Sequence, residues 1–187
     1  MQFSKLISVL AAAVAAHAAN TVTFVSQDDF DRTVYFTSNP NMAKIPDTKV
    51  AGGQNVTVEI AHGWQGNWFA IRDGEPVVPG MLGEVAFNAW NGITYFDVSA
   101  IVNPNDKNNV KQMWPAGEEE PVSGCVIFPC NFAYYLPDDV QTKATHETDL
   151  FCSLGSSELS TIDKRSFDAD SQPSFPRDFV MGKWAKN

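Results

Sequence analysis

The amino-acid sequence predicts an all-β fold, most simply an antiparallel β-sandwich with few or no helices. The chain contains a series of short runs rich in β-branched and aromatic residues, which are typical of strands. Turn residues such as Asn39-Pro40, Gly52-Gly53 and Asp73-Gly74 separate these runs. No stretch shows a convincing helical period. The predicted strands are residues 21–25, 33–37, 56–60, 67–71, 84–90, 94–101, 126–128 and 149–154.

One predicted hairpin can be constructed in detail. Asn91-Gly92 is a favoured pair for a two-residue turn, because both positions tolerate positive φ. Closing the hairpin there sets Val85 opposite Val98 and turns both side chains toward the core. Glu84 and Asp97 then share the other face as diagonal neighbours, about 7–8 Å apart at the backbone.

The N-terminal residues have the pattern of a signal peptide. A short basic start is followed by an apolar run over residues 6–16 and then by small residues. Cleavage after Ala18 fits this pattern, and cleavage after Ala16 is also permitted. The prediction is therefore a signal peptide over residues 1–18 and a secreted, extracellular product that can associate with the cell wall. No later segment is apolar enough to cross a bilayer, so we expect no membrane insertion.

The remaining chain of about 169 residues is long enough for one domain, which we place at residues 19–160. It carries 12 basic against 22 acidic residues, a balance that repels phosphate backbones and argues against a nucleic-acid partner. Residues 161–187 are predicted to form a polar C-terminal tail, either poorly ordered or draped over the domain. Within the tail, Lys164-Arg165 is a dibasic pair that a secretory protease could cut.

The cysteines and one sequon predict a disulfide and an N-linked glycan. In an oxidising compartment two of Cys125, Cys130 and Cys152 should pair, and the sequence leaves all three pairings open. The cysteines lack the spacing of a zinc site, so we expect no metal and no cofactor. Asn55-Val56-Thr57 is an N-glycosylation acceptor at a predicted strand entrance.

Two segments resemble a known family. The segment 83–87, followed by Tyr95-Phe96-Asp97-Val98-Ser99 and Asn103-Pro104, is similar to the paired strands of thaumatin-like proteins. The segment 130–135, followed by Asp138-Asp139, resembles that family's motif near its last cysteine. The chain therefore resembles small fungal thaumatin-like proteins of the antigenic or osmotin type. The family usually has many disulfides, so the resemblance extends only to a thaumatin-like β-sandwich core.

The resemblance also implies a site. The family has an acidic cleft linked to β-glucan binding, and Glu84 and Asp97 match two of its four charged residues. Arg72 is a candidate for the arginine of that cleft. In the hairpin construction Trp90 and Tyr95 fall on the carboxylate face or its rim, where flat rings could stack on sugars. Solvated face residues are the structural alternative for the two acids.

Three functions follow as expectations. The first is non-catalytic binding of cell-wall polysaccharide, such as β-glucan, through Glu84, Asp97, Trp90, Tyr95 and Arg72. The second is a weak endo-β-glucanase in which Glu84 and Asp97 act as acid and base. The third is a host-facing antigenic interaction protein without a sugar ligand. The sequence leaves the ligand and the oligomeric state open.

Overall fold

The computed structural model describes residues 19–156. The predicted signal peptide, the C-terminal tail and the Lys164-Arg165 pair lie outside these described residues, as do the last residues of the predicted domain. The described part of the chain forms strands connected by turns and loops, with one 3₁₀ turn at Trp90–Gly92. Among these residues no helix is long and apolar enough to cross a membrane.

The strands form two sheets. The first sheet has five strands in the order β4-β1-β11-β8-β9, and the second has six in the order β10-β7-β6-β5-β2-β3. The strands are β1 (Asn20–Ser26), β2 (Arg32–Ser38), β3 (Thr48–Val50), β4 (Asn55–Ile60), β5 (Gln65–Arg72), β6 (Leu82–Ala86), β7 (Thr94–Ser99), β8 (Val110–Pro115), β9 (Ser123–Gly124), β10 (Lys143–Thr145) and β11 (Asp149–Leu154).

The predicted all-β class is confirmed, but three details of the prediction are wrong. The first sheet is mixed, because β1 and β11 run parallel while the other paired strands of the described chain run antiparallel. Strands β3, β8, β9 and β10 were not predicted. The predicted strand at residues 126–128 is instead part of a loop. Strand β8 escapes pattern analysis because it is buried almost throughout despite containing Lys111 and Gln112.

The core lies between the two sheets, and Trp68 is central to it. Its fully buried indole comes from β5 and meets the ring of Phe24 on β1 edge-to-face, with 5.6 Å between the ring centroids. The indole Nε1 donates a hydrogen bond of 3.4 Å to Sγ of Cys152 on β11. Trp68 therefore contacts two strands of the opposite sheet.

The cysteines are divided between a disulfide and a buried thiol. Cys125 and Cys130 form the disulfide, with 5.9 Å between their Cα atoms, so the predicted bonded pair is confirmed and its identity resolved. Cys152 is free and fully buried in the core. Burial raises the pKa of the Cys152 thiol to about 12, which keeps the group protonated and weakly reactive.

The hairpin formed by β6 and β7 differs in register from its predicted form. Val85 lies opposite Phe96 and Glu84 opposite Asp97, two residues away from the predicted pairing. The turn is longer than two residues, because the pairing of β6 with β7 ends at Ala86 and Tyr95. A shift of two residues preserves the faces of both strands, since side chains alternate with a period of two.

Candidate functional site

The central feature of the second sheet is a pair of carboxyl groups, Glu84 on β6 and Asp97 on β7, which we call the acid pair. Val85 and Phe96 belong to the core, so strand alternation turns the acid pair toward the outer face of the sheet. The two acids are direct cross-strand partners, an arrangement that brings Cβ atoms to about 4.5–5.5 Å. The predicted diagonal arrangement is therefore wrong, and the acids are closer than the sequence suggested.

The expectation that both acids face solvent is also wrong. Only 8 % of Asp97 is exposed, while Glu84 is half-buried. Residues 134–142, which we call the covering segment, bring Thr142 against Asp97 and Tyr134 against Thr142. Tyr134 begins this segment beside β7, where its N–H donates to the Val98 carbonyl at 3.0 Å and its own carbonyl accepts from Ala100 N–H at 2.7 Å. These two bonds pair Tyr134 with Ser99 at the edge of β7.

The covering segment contacts the acid pair through hydroxyl groups. Thr142 Oγ1 donates to Oδ2 of Asp97 at 3.4 Å, and it lies 2.8 Å from the hydroxyl of Tyr134. The Thr142 N–H also donates to the Tyr134 hydroxyl at 3.2 Å. A hydrogen-bonded chain thus runs from Asp97 into the covering segment.

The acid pair carries a proton more readily than isolated carboxylic acids do. Burial, together with the neighbouring charge and hydrogen bond of Glu84, raises the pKa of Asp97 well above its ordinary value. Burial also raises the pKa of Glu84, and a hydrogen bond from Asp97 offsets part of that effect. Within residues 19–156, none of the ion pairs involves Glu84 or Asp97. The two groups therefore titrate as one pair.

Tyr95 lies near the acid pair but is not available as a platform. It is two residues from Asp97 on β7 and shares its face, yet only 6 % of it is exposed. Trp90 is 66 % exposed in the 3₁₀ turn beyond the strand ends. The two rings therefore do not form one flat surface beside the carboxyl groups.

Arg72 lies away from the acid pair, contrary to the prediction. It is five residues beyond Asn67, the residue opposite Glu84, and therefore lies near the far end of β5. Its guanidinium Cζ lies 3.8 Å above the Phe30 ring, and its Nη2 is 3.7 Å from a carboxylate oxygen of Asp28. These contacts hold Arg72 in a separate cluster at the end of the sheet.

Sequence reasoning did not identify Thr142, Tyr134 and Asn67 as part of this site. Thr142 is 45 residues from Asp97 along the chain, so no local spacing connects them. Asn67 lies opposite Glu84 on the other neighbouring strand, and this pairing depends on sheet order. An expectation that β5 adjoins β6 would have identified Asn67, whereas the covering segment has no comparable local signal.

The predicted glycosylation acceptor lies at an accessible place. Asn55 is exposed at the start of β4, which is an edge strand of the first sheet. The Thr57 hydroxyl of the same triplet lies 2.8 Å from the Thr23 hydroxyl on β1.

Within the described part of the chain, no three His, Cys, Asp or Glu residues converge in a way that could hold a metal ion.

The described chain shares its β-rich fold with a protein of known structure. No family model matches the sequence. The fold resembles the crystal structure of the protein elicitor MoHrip2 from Magnaporthe oryzae, with a TM-score of 0.58 and 12 % identity. That likeness covers 74 % of this chain and all of the MoHrip2 chain.

Sequence comparison gives the family. The chain is 58 % identical over 135 residues to antigenic protein SchS21 of Stachybotrys chartarum. The match covers 72 % of this chain and 94 % of the relative. The chain belongs to the family of antigenic protein SchS21.

The resemblance to thaumatin-like proteins is wrong. The sequence relative is antigenic protein SchS21, and the fold likeness is to an elicitor rather than to a thaumatin. The resemblance depended on short strand and turn segments, including residues 83–87 and 95–99. Alternating apolar residues around a turn occur in many unrelated β proteins, so such segments carry little family information.

Proposed function

We propose that this protein is secreted and acts outside the cell as a host-facing antigenic interaction protein without catalytic activity. The observation that carries the proposal is 58 % identity across 94 % of antigenic protein SchS21. At that identity more than half of the aligned residues are the same in the two proteins. Antibodies against SchS21 should therefore find matching surface on this protein.

Three local features support an extracellular location. The N-terminal sequence has the pattern of a signal peptide. The Cys125–Cys130 disulfide is of a kind that persists in oxidising compartments. The acceptor Asn55 is exposed, as glycosylation in the secretory pathway requires.

Expression in a secreting fungal host tests the proposal. We expect the mature protein in the culture filtrate, with an N-terminus at Ala19, and binding of antiserum raised against SchS21. Preimmune serum and a filtrate from untransformed cells are the controls. Retention inside the cells with residues 1–18 still attached would contradict secretion, and failure of the antiserum to bind the folded protein would contradict the antigenic role.

Polysaccharide binding is a second candidate, supported by the outer face of the second sheet. Glu84 and Asn67 are direct cross-strand partners with half-buried side chains, and such groups hydrogen-bond to sugar hydroxyls. Two residues from Asn67 along β5, Phe69 stacks on Tyr35 with 5.2 Å between the ring centroids, and both rings are half-buried. A polar row beside an aromatic pair is a surface suited to a carbohydrate chain.

Retention on insoluble β-1,3-glucan tests this second candidate. We expect the double variant Asn67→Ala, Phe69→Ala to be retained less than the wild type. Phe151→Ala is the matched control, because that half-buried ring lies on the first sheet. Equal retention of the wild type and both variants would exclude this face as the binding surface.

The geometry does not favour the alternative of a β-glucanase. Retaining glycosidases hold their carboxyl groups about 5–5.5 Å apart, and inverting enzymes hold them about 6.5–9.5 Å apart. Both mechanisms also require each carboxyl group to reach the sugar, whereas only 8 % of Asp97 is exposed and Thr142 lies against its carboxyl group. Release of reducing sugar from β-1,3-glucan that Glu84→Gln abolishes would overturn this reasoning.

A further inference from the structure

We propose that Glu84 and Asp97 share one proton, and that this proton holds the covering segment, residues 134–142, against the second sheet. The protein would then contain a latch that closes at acidic pH and loosens as the pH rises. The inference concerns the outer face of β6 and β7 and is independent of the proposed function.

The first argument is an unpartnered oxygen. Asp97 Oδ1 is buried, and neither an N–H nor a hydroxyl group donates a hydrogen bond to it. The Glu84 carboxyl group is the direct cross-strand partner of Asp97, and it can share a hydrogen bond with Asp97 only when one of the two acids is protonated. A shared proton therefore satisfies the buried oxygen and removes the repulsion between the two acids.

The second argument is the surroundings of the pair. Asn67 on β5 and Thr142 on the covering segment are neutral, and Tyr95 and Tyr134 have pKa values raised by burial. Lys143, the residue after Thr142, has its Nζ 5.9 Å from the centroid of the Phe132 ring. None of these side chains supplies a positive charge to the pair.

The remaining charged groups belong to the covering segment. Asp139 accepts hydrogen bonds of 2.8 Å and 2.9 Å from the N–H groups of Tyr135 and Leu136, so its carboxylate closes a local turn. Asp138 is exposed. Asp139 is engaged in its own turn and Asp138 lies in solvent, so neither acid is placed against Asp97. Glu84 is the acid that lies opposite Asp97.

The third argument links the proton to movement. Without the proton, a charged Asp97 would lie under Tyr134 and Thr142 with the Thr142 hydroxyl as a donor at 3.4 Å. Burial of a carboxylate with so little hydration is unfavourable. Water reaches Asp97 when the covering segment separates from β7, so loss of the proton favours the open form.

Hydrogen exchange of the folded full chain, measured by mass spectrometry across about pH 5–8, tests the latch. Protection factors already remove the pH dependence of the chemical exchange step. If opening releases one proton, linkage predicts that the protection of residues 134–142 falls up to about tenfold per pH unit. Peptides from β11 should show no such slope.

Two variants remove the shared proton. Glu84→Gln keeps the size of the side chain and supplies a permanent amide donor for Asp97 Oδ1. In this variant the protection of residues 134–142 should be high and independent of pH. Asp97→Asn should also lose the slope, and it provides a second test if Glu84→Gln folds poorly. Glu59→Gln on the exposed part of β4 is the matched control and should retain the wild-type slope.

Two outcomes would overturn the proposal. Protection of residues 134–142 that does not change with pH in the wild type would show that no proton is released when the segment opens. A slope in Glu84→Gln equal to that of the wild type would assign the pH dependence to another group.

Discussion

Gly83 and Trp68 show how one residue determines another across the second sheet. They are direct partners on β6 and β5, and the Trp68 indole lies over the position that a side chain at residue 83 would occupy. A Cβ atom built on Gly83 would lie 2.6 Å from the indole ring, closer than van der Waals contact allows. Glycine is therefore needed because of its size.

We expect Gly83→Ala to lower the free energy of unfolding by about 1–3 kcal/mol, since the added methyl group must displace a fully buried indole. Denaturant unfolding followed by tryptophan fluorescence measures the change. Gly117→Ala is the matched control, because its Cβ would meet Glu147 at 3.5 Å, an ordinary contact. A loss of stability no larger than that of the control would contradict the steric explanation.

Asp28 and Arg32 form a second residue-level feature, an ion pair at the end of the second sheet. Arg32 is fully buried and donates two hydrogen bonds to the Asp28 carboxylate, at 2.6 Å and 2.7 Å. Its Nη2 also donates to the Asn108 carbonyl at 2.8 Å. Burial alone would raise the pKa of Asp28, but the hydrogen bonds and charge of Arg32, with further backbone N–H donors, outweigh burial and lower it.

Replacing Asp28 should be costly because it leaves a buried charge. We expect Asp28→Asn to lower the free energy of unfolding at neutral pH by about 3 kcal/mol or more. Because the folded pKa is lowered, the contribution of Asp28 is present at neutral pH and is lost as the pH falls through that pKa. The difference between wild type and variant in denaturant unfolding should therefore shrink on acidification.

The neighbouring residue supplies the control for this prediction. Asp29→Asn changes an exposed carboxylate in the same loop and should leave the free energy of unfolding nearly unchanged. If Asp28→Asn behaved like Asp29→Asn, the buried ion pair would not be a stabilising feature.

At the scale of an element, the β6–β7 hairpin shows which features the sequence predicts and which it does not. Asn91 and Gly92 do adopt positive φ, at 57° and 73°. Alternation also identifies which residues of the strands face the core. The turn pair does not fix the register, because the paired residues end at Ala86 and Tyr95, several positions before the turn closes. The positions of Glu84 and Asp97 opposite each other therefore required the sheet.

The disulfide loop is a second element whose contribution can be measured. Cys125 and Cys130 are separated by five positions, so the loop that they close is short. We expect Cys125→Ser, Cys130→Ser to lower the free energy of unfolding by about 2 kcal/mol, from the entropy of loop closure in the unfolded chain. Denaturant unfolding of oxidised wild type and the double variant checks this.

Reduced wild-type protein provides the control for the disulfide. It should match the stability of the double variant, because both lack the crosslink and retain small polar side chains. An oxidised wild type no more stable than the double variant would contradict a role for the loop in stability.

At the scale of the whole molecule, the proposed secretion and the surface exposure of Asn55 predict a modification. Asn55 is exposed on edge strand β4, and Thr57 completes its acceptor triplet. We expect protein secreted by a eukaryotic host to lose mass on treatment with an N-glycosidase. Asn55→Gln and Thr57→Ala should each abolish the shift, and a shift that persisted in both would place the glycan elsewhere.

The sequence by itself determined the β-rich class and the inward face of the hairpin, because alternation and turn chemistry are local properties of the chain. The tertiary structure decided that Asp97 is buried and that Arg72 lies away from it. It also decided which cysteines bond. The hydroxyl of Thr142, 45 positions away, reaches Asp97 only because the covering segment returns to β7. The environment of a carboxyl group depends on such long-range packing, which local sequence patterns do not specify.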